Sequence, residues 1–460
     1  MEAIARENDL YNASVESFAH MRFAGEPEWL AGLRREAFAR FTALGLPTTK
    51  DEEWKYTGVG PIARVPFRPA GDQPRLKDIS NPDPSFAKSP TRQSRYGDGA
   101  ASEGTPLPGR EGVRFVFVNG RYSAELSRAG LRPVVRSLRE ALLEEPELLE
   151  PHLARHAGFE KSAFTALNTA FLEDGAFVRI PRGTILEEPI HLIFFSEDGG
   201  GPAVSHPRNL ILAEPNSQAR IIETYVGEGA GYFTNSVTEV VCGDGAVLEH
   251  YKLQRESLAA FHVQTVGVAQ ERGSNFASHN VCLGAALART DINVLFKAEG
   301  SECTLNGLFL AGGSQHMDNH TLIDHAKPHC TSRELYKGIL DGRARGVFHG
   351  KIIVRPDAQK TDAVQTNKNL LLSREALVNS TPALEILADD VKCRHGSTIG
   401  QLDANSLFYL RSRGIGEQEA RALLTYGFAA DLANRIRIPW IREELEAFLG
   451  LRLPQPTEAP

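Results

Sequence analysis

Cysteine is scarce in this chain: five in 460 residues, at Cys242, Cys282, Cys303, Cys330 and Cys393. No two are spaced as Cys-x-x-Cys, which excludes a self-contained zinc ribbon or ferredoxin-type ligand set. An odd number spread along a long chain also argues against a disulfide framework. Any metal chemistry must therefore borrow ligands from elsewhere. Long apolar runs are missing too, and none approaches the roughly eighteen residues a membrane-spanning helix needs. The opening "MEAIARENDLYNASVESFAH" carries acidic residues and no apolar h-region, so it does not read as a secretory signal, and a cytoplasmic location is expected. A basic excess is lacking as well: 58 acidic residues face 51 basic ones, a formal net charge of −7. That argues against nucleic acid as the main partner. HExxH and GxGxxG do not occur. "GRARGVFHGKIIV" has Arg345 where a phosphate loop needs glycine and Ile352 where it needs Ser or Thr. No nucleotide hydrolysis by this chain is expected.

What is present changes character along the sequence. "SVESFAHMRF" and "PEWLAGLRREAFARFTALGLP" place apolar residues at i, i+3, i+4 and i+7, so residues 1–67 read as a helical region. Residues 68–110 are rich in Pro, Gly, Ser and Asp and are expected to form a loose loop. Residues 111–160 open with alternating segments around Asn119-Gly120, a strong hairpin signal, followed by a helical stretch broken at Pro146 and Pro151.

From about Gly175 to Ile399 the chain is rich in Val, Ile, Thr and Phe. Turn-forming positions recur at Ser217, Gly245, Gly273, Gly300, Pro328 and Asp357, in steps of 28, 28, 27, 28 and 29. A second series, Glu256, Gly284, Gly313 and Gly342, is interleaved with steps of 28, 29 and 29. A constant period is what stacked β-coils require, because equal coil lengths keep neighbouring strands in register. The expected fold is mainly β: a β-helix over residues 161–402, flanked by N-terminal and C-terminal α-helical regions. A large antiparallel sandwich is the competing reading, but it gives no reason for two interleaved series.

Residues 403–460 switch back to helix. Asp403 is a good N-cap for "ANSLFYLRSR" and Gly414 a good C′ residue. "GEQEARALLTYGFAADLANRIR" and "IPWIREELEAFLGL", with Pro439 near its start, follow as helices. A bundle this small cannot hide all of Leu423, Tyr426, Phe428, Trp440 and Phe448, so a partner surface is expected there.

Two clusters could carry chemistry. If Asp389–His395 is a strand, Cys393 and His395 share a face with Val391. A thiolate and an imidazole side by side can bind iron, zinc or an iron–sulfur unit. They can equally be a core cysteine and a surface histidine, and a cysteine-protease pair would need an orienting group and oxyanion hole that nothing adjacent supplies. The stretch "GGSQHMDNHTLIDHAKPHC" holds His316, His320, His325, His329 and Cys330, with Asp318 and Asp324 available to complete a metal site. A ladder of polar residues on the outer face of stacked coils accounts for it more simply.

The run "DDVKCRHGSTIGQLDANSLFYLRSRGI" closely resembles the C-terminal signature of SufD-type subunits of the Suf iron–sulfur cluster assembly machinery. "DEEWKYTGV" and "GVFHGKIIVRPDAQKTDAVQTNKNLLLS" resemble stretches that this family shares with its SufB-type paralogues. SufB-type chains lack the "YLRSRGI" form. The resemblance implies a right-handed parallel β-helix and a non-enzymatic scaffold, with no catalytic residues of its own. It implies pairing with a SufB-like paralogue and docking of a SufC-like ABC-type ATPase. The docking surface would be the C-terminal helices, with Leu407, Phe408, Tyr409, Arg411, Arg413, Leu423, Tyr426 and Phe428 as candidate contacts. It also implies a transient iron–sulfur cluster or iron at the subunit interface, with His395 as ligand and Cys393 beside it. A cysteine desulfurase system and a reduced flavin are associated with such complexes, and homodimers are expected when the paralogue is absent. Two rivals remain: a β-helical carbohydrate-active enzyme working on an extended polymer, and a histidine-lined zinc or iron store.

Overall fold

The computed structural model describes residues 25–70, 113–128, 130, 134–197, 200–229 and 231–452. The helix expected over "SVESFAHMRF" and most of the expected loop 68–110 lie outside these residues. The chain divides into two units, one holding the β body up to Gly400 and one beginning at Gln401.

The β body is a solenoid of about eight turns. Successive strands alternate between two sheets. The first runs through Ala176–Ile180, Arg208–Ala213, Tyr232–Cys242, Phe261–Gln270, Leu287–Phe296, His316–His325 and Arg345–Val354 to Leu377–Ile386. The second runs through Ile190–Glu197, Gln218–Glu228, Val247–Gln254, Asn275–Cys282, Glu302–Ala311, Thr331–Leu340 and Asp362–Leu371 to Lys392–Gly400. Neighbours along both series pair in parallel, which excludes the antiparallel sandwich.

The period has a backbone cause. Asn216, Gly245, Gly273, Gly300, His329 and Lys360 all have φ between 59° and 74° and sit in equivalent turns between coils. A left-handed residue is needed once per coil, and glycine supplies it at no steric cost. The register follows the same steps, with Gln218, Val247, Asn275, Glu302, Thr331, Asp362 and Lys392 as successive partners. The last two coils are therefore longer than the expected 28 residues. The equivalent positions there are His329 and Lys360, not Pro328 and Asp357.

The hairpin forms as read, Arg114–Val118 against Arg121–Arg128, with Asn119 and Gly120 both at positive φ. Ser137 caps helix Leu138–Glu144 by accepting from the Glu140 amide, and Pro146 opens the next short helix. On the outer face of the first sheet lies the fully buried helix Ala163–Ala170, capped by Ser162. Helix Glu28–Leu44 packs on it through Ala37 and Phe41 against Ala166, Leu167 and Ala170. Burial on both faces leaves little room in the central strands. A Cβ at Gly307 would stand 2.1 Å from the Tyr336 ring on the next strand.

In the second unit, Asp403 caps helix Ala404–Ser412 by accepting from the Ser406 amide at 2.8 Å, and Gly414 takes φ 88°. Helices Glu417–Ala433 and Pro439–Arg452 follow. Ala429, Leu432, Ile441, Leu445 and Phe448 are buried. Helix Ala404–Ser412 buries no residue at all, and Phe408 is 74 % exposed.

Candidate functional site at the open end of the solenoid

Parallel, in-register strands align residues into columns that run the length of the solenoid. Leu248, Phe276, Cys303 and Ala363 belong to one interior column, and Cys393 ends it. Two positions along, His250, Ser278, Leu305, Glu334 and Gln365 form the next column, which ends on His395. Strand alternation gives Cys393 and His395 the same face. The two do not share an environment. Cys393 is half-buried and packs with Val391 on the hydrophobic interior, whereas His395 is exposed on the same last strand. Partial burial pushes the Cys393 thiol up from its ordinary value, so it rests protonated. The other four cysteines are buried, and burial pushes Cys242 up to about 12; they are placed as core residues.

Among the described residues, no strand pairs with the outer edges of Leu377–Ile386 or Lys392–Gly400, the last strand of each sheet. Ser380 and Ser397 join the two strands, with their hydroxyls 2.7 Å apart. Leu377, Ile386, Leu387 and Ile399 are exposed around them. Two unpaired edges with apolar neighbours form a surface that a monomer ordinarily avoids. One imidazole and one thiol leave a tetrahedral site two ligands short, and any others must approach from beyond this edge.

The interior behind His395 is polar. Glu334 accepts from Thr321 Oγ1 at 2.6 Å and from Gln365 Nε2 at 2.8 Å. Farther in, Lys252 Nζ donates to Thr290 Oγ1 at 2.8 Å, and burial pulls its ammonium down from the ordinary value. Glu256 accepts from Thr234 at 2.6 Å and Gln254 at 2.9 Å, beside His262 at 2.8 Å. Sequence reading missed this interior. In Val247–Gln254 both faces are largely buried, and alternation alone cannot say that His250, Lys252 and Gln254 follow Leu248 inward.

The histidine-rich stretch divides. His316, Asp318 and His320 do face outward from their strand, but they lie under the N-terminal segment 53–57 rather than in solvent. His325 points the other way, into the interior, 2.9 Å from Ser332 Oγ. His329 occupies a turn, and Asp324 pairs with Arg355 at 2.7 Å. Of the C-terminal candidates, Phe408, Tyr409, Arg411, Arg413, Leu423 and Tyr426 are exposed, while Leu407 and Phe428 are half-buried.

Comparison with known proteins identifies the family. Residues 194–428 match the family described as "SUF system FeS cluster assembly, SufBD core domain", and residues 108–192 match "SufBD protein N-terminal region". An iron–sulfur cluster assembly SufBD family protein of Synechocystis sp. is 34% identical over 439 residues, 93% of this chain and 92% of the relative. The iron–sulfur cluster assembly protein SufD of Escherichia coli is 31% identical over 442 residues, 95% and 96% of the two chains. A chloroplastic protein of Arabidopsis thaliana, ABCI7, is 31% identical over 410 residues, 86% and 81%. With its solenoid, its flanking helices and these matches along most of its length, the chain belongs to the SufBD family of iron–sulfur cluster assembly proteins.

Proposed function

We propose that this chain is a non-enzymatic scaffold that lends His395, with Cys393 beside it, to an iron–sulfur cluster built against a second subunit. The observation that carries the reading is the open last coil: two unpaired strand edges, exposed apolar side chains, and an imidazole at the mouth of the interior. The nascent cluster is cargo, completed by ligands from a SufB-like paralogue added edge to edge. Cys393 must lose its proton to ligate, so its contribution rises with pH. The exposed face of helix Ala404–Ser412, with Phe408 and Tyr409, and the neighbouring Leu423 and Tyr426 are assigned to a SufC-like ABC-type ATPase. ATP hydrolysis belongs to that partner. A desulfurase system would deliver sulfur to the complex, and no residue here is assigned to a flavin. Without the paralogue, a second copy can use the same edge. Family membership favours this reading over a carbohydrate-active β-helix.

The test is reconstitution of the co-expressed complex with His395→Ala. Cluster build-up, followed by absorbance, is expected to vanish while the subunits still co-elute. An unchanged assembly rate in the intact variant complex refutes the ligand role. In the same preparation Phe408→Ala with Tyr409→Ala is expected to reduce ATPase co-purification, and full retention would remove that assignment.

A further inference from the structure

We propose that Glu53, His320 and His349 form a second site, for a divalent cation of the zinc or ferrous type, on the outer face of the first sheet. It is separate from the terminal site. His320 and His349 are register partners on adjacent strands, their rings 4.9 Å apart and edge to face. Glu53 lies in the short turn Glu52–Trp54 that crosses above them. Its Oε2 is 3.3 Å from His320 Nδ1 and 3.6 Å from His349 Nδ1, and one donor atom from each of the three residues falls within 4.8 Å of the others. Donors bound to one zinc or ferrous ion at about 2.0–2.1 Å stand roughly 3–3.5 Å apart. A small rotation of two side chains completes the fit.

The surroundings are those of a held ligand set. His320 directs its other nitrogen, Nε2, at Asp318 Oδ1, 3.0 Å away and almost fully buried. A carboxylate behind an imidazole fixes the tautomer and leaves the opposite nitrogen free to bind metal. Asp318 is itself held by Thr57 Oγ1 at 2.6 Å and Arg289 Nη1 at 3.0 Å. Arg289 also donates to the Glu53 carbonyl at 2.6 Å and stacks on Trp54 at 3.8 Å, which aims the Glu53 turn. Asp291 and Asp318 flank Arg289, while the Glu53 carboxylate faces the two imidazoles.

Two imidazoles and one carboxylate on one side of an ion suit Zn²⁺, Fe²⁺ or Co²⁺, with a remaining position open to water. Glu53 reaches His320 across 267 residues of chain. An ion bound there staples the N-terminal segment to the coils, so occupancy stabilises the fold.

The test titrates the full-length, metal-free chain with Co²⁺, competes with Zn²⁺, and records visible spectra and thermal unfolding. One Co²⁺ per chain, a raised Tm and retained binding in a Cys393→Ser/His395→Ala variant support the site. His349→Ala and Glu53→Gln should each weaken binding by about tenfold or more. Glu53 is largely solvent-exposed, so Glu53→Gln should melt near the wild type without metal, which separates ligand loss from misfolding. No stoichiometric Co²⁺ uptake, unchanged affinity in both single variants, or binding lost in the Cys393→Ser/His395→Ala variant would overturn the proposal.

Discussion

Glu239→Ala is expected to destabilise the β body by about 3–5 kcal/mol, the usual cost of orphaning one member of a buried ion pair. Arg208 and Glu239 are both 0% exposed, and Arg208 Nε and Nη2 donate to one Glu239 oxygen at 3.1 and 2.7 Å. Burial alone would raise the Glu239 carboxyl, but Arg208 and the backbone amides of Ala157 and Ala154 hold it below its ordinary value. Those amides, with that of His156, donate to it at 2.8–3.0 Å. Arg208 Nη1 meanwhile donates to Asn168 and Thr169 of the buried helix Ala163–Ala170. The pair therefore clamps a turn and a helix to the outer face of the first sheet. Alanine leaves a guanidinium and three amides without their acceptor in a water-poor site. Urea unfolding of the two proteins measures the loss. Replacing both partners, as Arg208→Met with Glu239→Leu, should recover only the share due to the orphaned guanidinium, because the three amides still lack their acceptor. A single-variant loss below about 1 kcal/mol would mean that the clamp holds little.

Glu334→Gln is expected to do the opposite, and only above about pH 4.5. Burial, opposed only by hydrogen bonds from Thr321 and Gln365, pushes the Glu334 carboxyl from 4.5 up to about 7. A carboxylic acid whose folded pKa is raised binds its proton more tightly when folded. Below the unfolded value it has no effect on stability. Between about 4.5 and 7 ionisation increasingly favours unfolding, by about 1.4 kcal/mol per pH unit, and above 7 the cost levels off near ~3 kcal/mol. Glutamine is neutral throughout. The variant should match the wild type at pH 4.5 and exceed it by roughly that amount at pH 8. Parallel stability–pH curves for the two proteins would show that Glu334 is ionised at no cost. Because Glu334 stands behind Gln365 and His395 in one column, the same variant also tests whether a neutral interior supports cluster assembly.

Much of the architecture was legible from local chemistry. Asn119-Gly120 adopts the two positive φ values a tight hairpin needs, and Asp403 caps its helix, because turn and cap preferences act within four residues. The coil length was legible for the same reason, since one turn of each coil takes a left-handed residue and glycine fills three of those six positions. His329 and Lys360 take that conformation without being glycine, which is why the anchors drifted in the last coils. Cys393 and His395 stood out because two ligand-type residues at strand spacing share a face. Glu53 and His349 did not, since nothing local links a glutamate in an N-terminal turn to a histidine on a distant strand. Arg208 and Glu239 were likewise unremarked.

By itself, then, the amino-acid order settled the existence of the repeat, the pairing of residues on one strand face and the helical ends, all consequences of short-range backbone preference and periodic polarity. Only the stacked coils decided which buried face is polar, which strand is left with an open edge, and which carboxylate meets which imidazole. Those depend on register between strands and on segments that pack across them, contacts between residues far apart in the chain that no local pattern encodes.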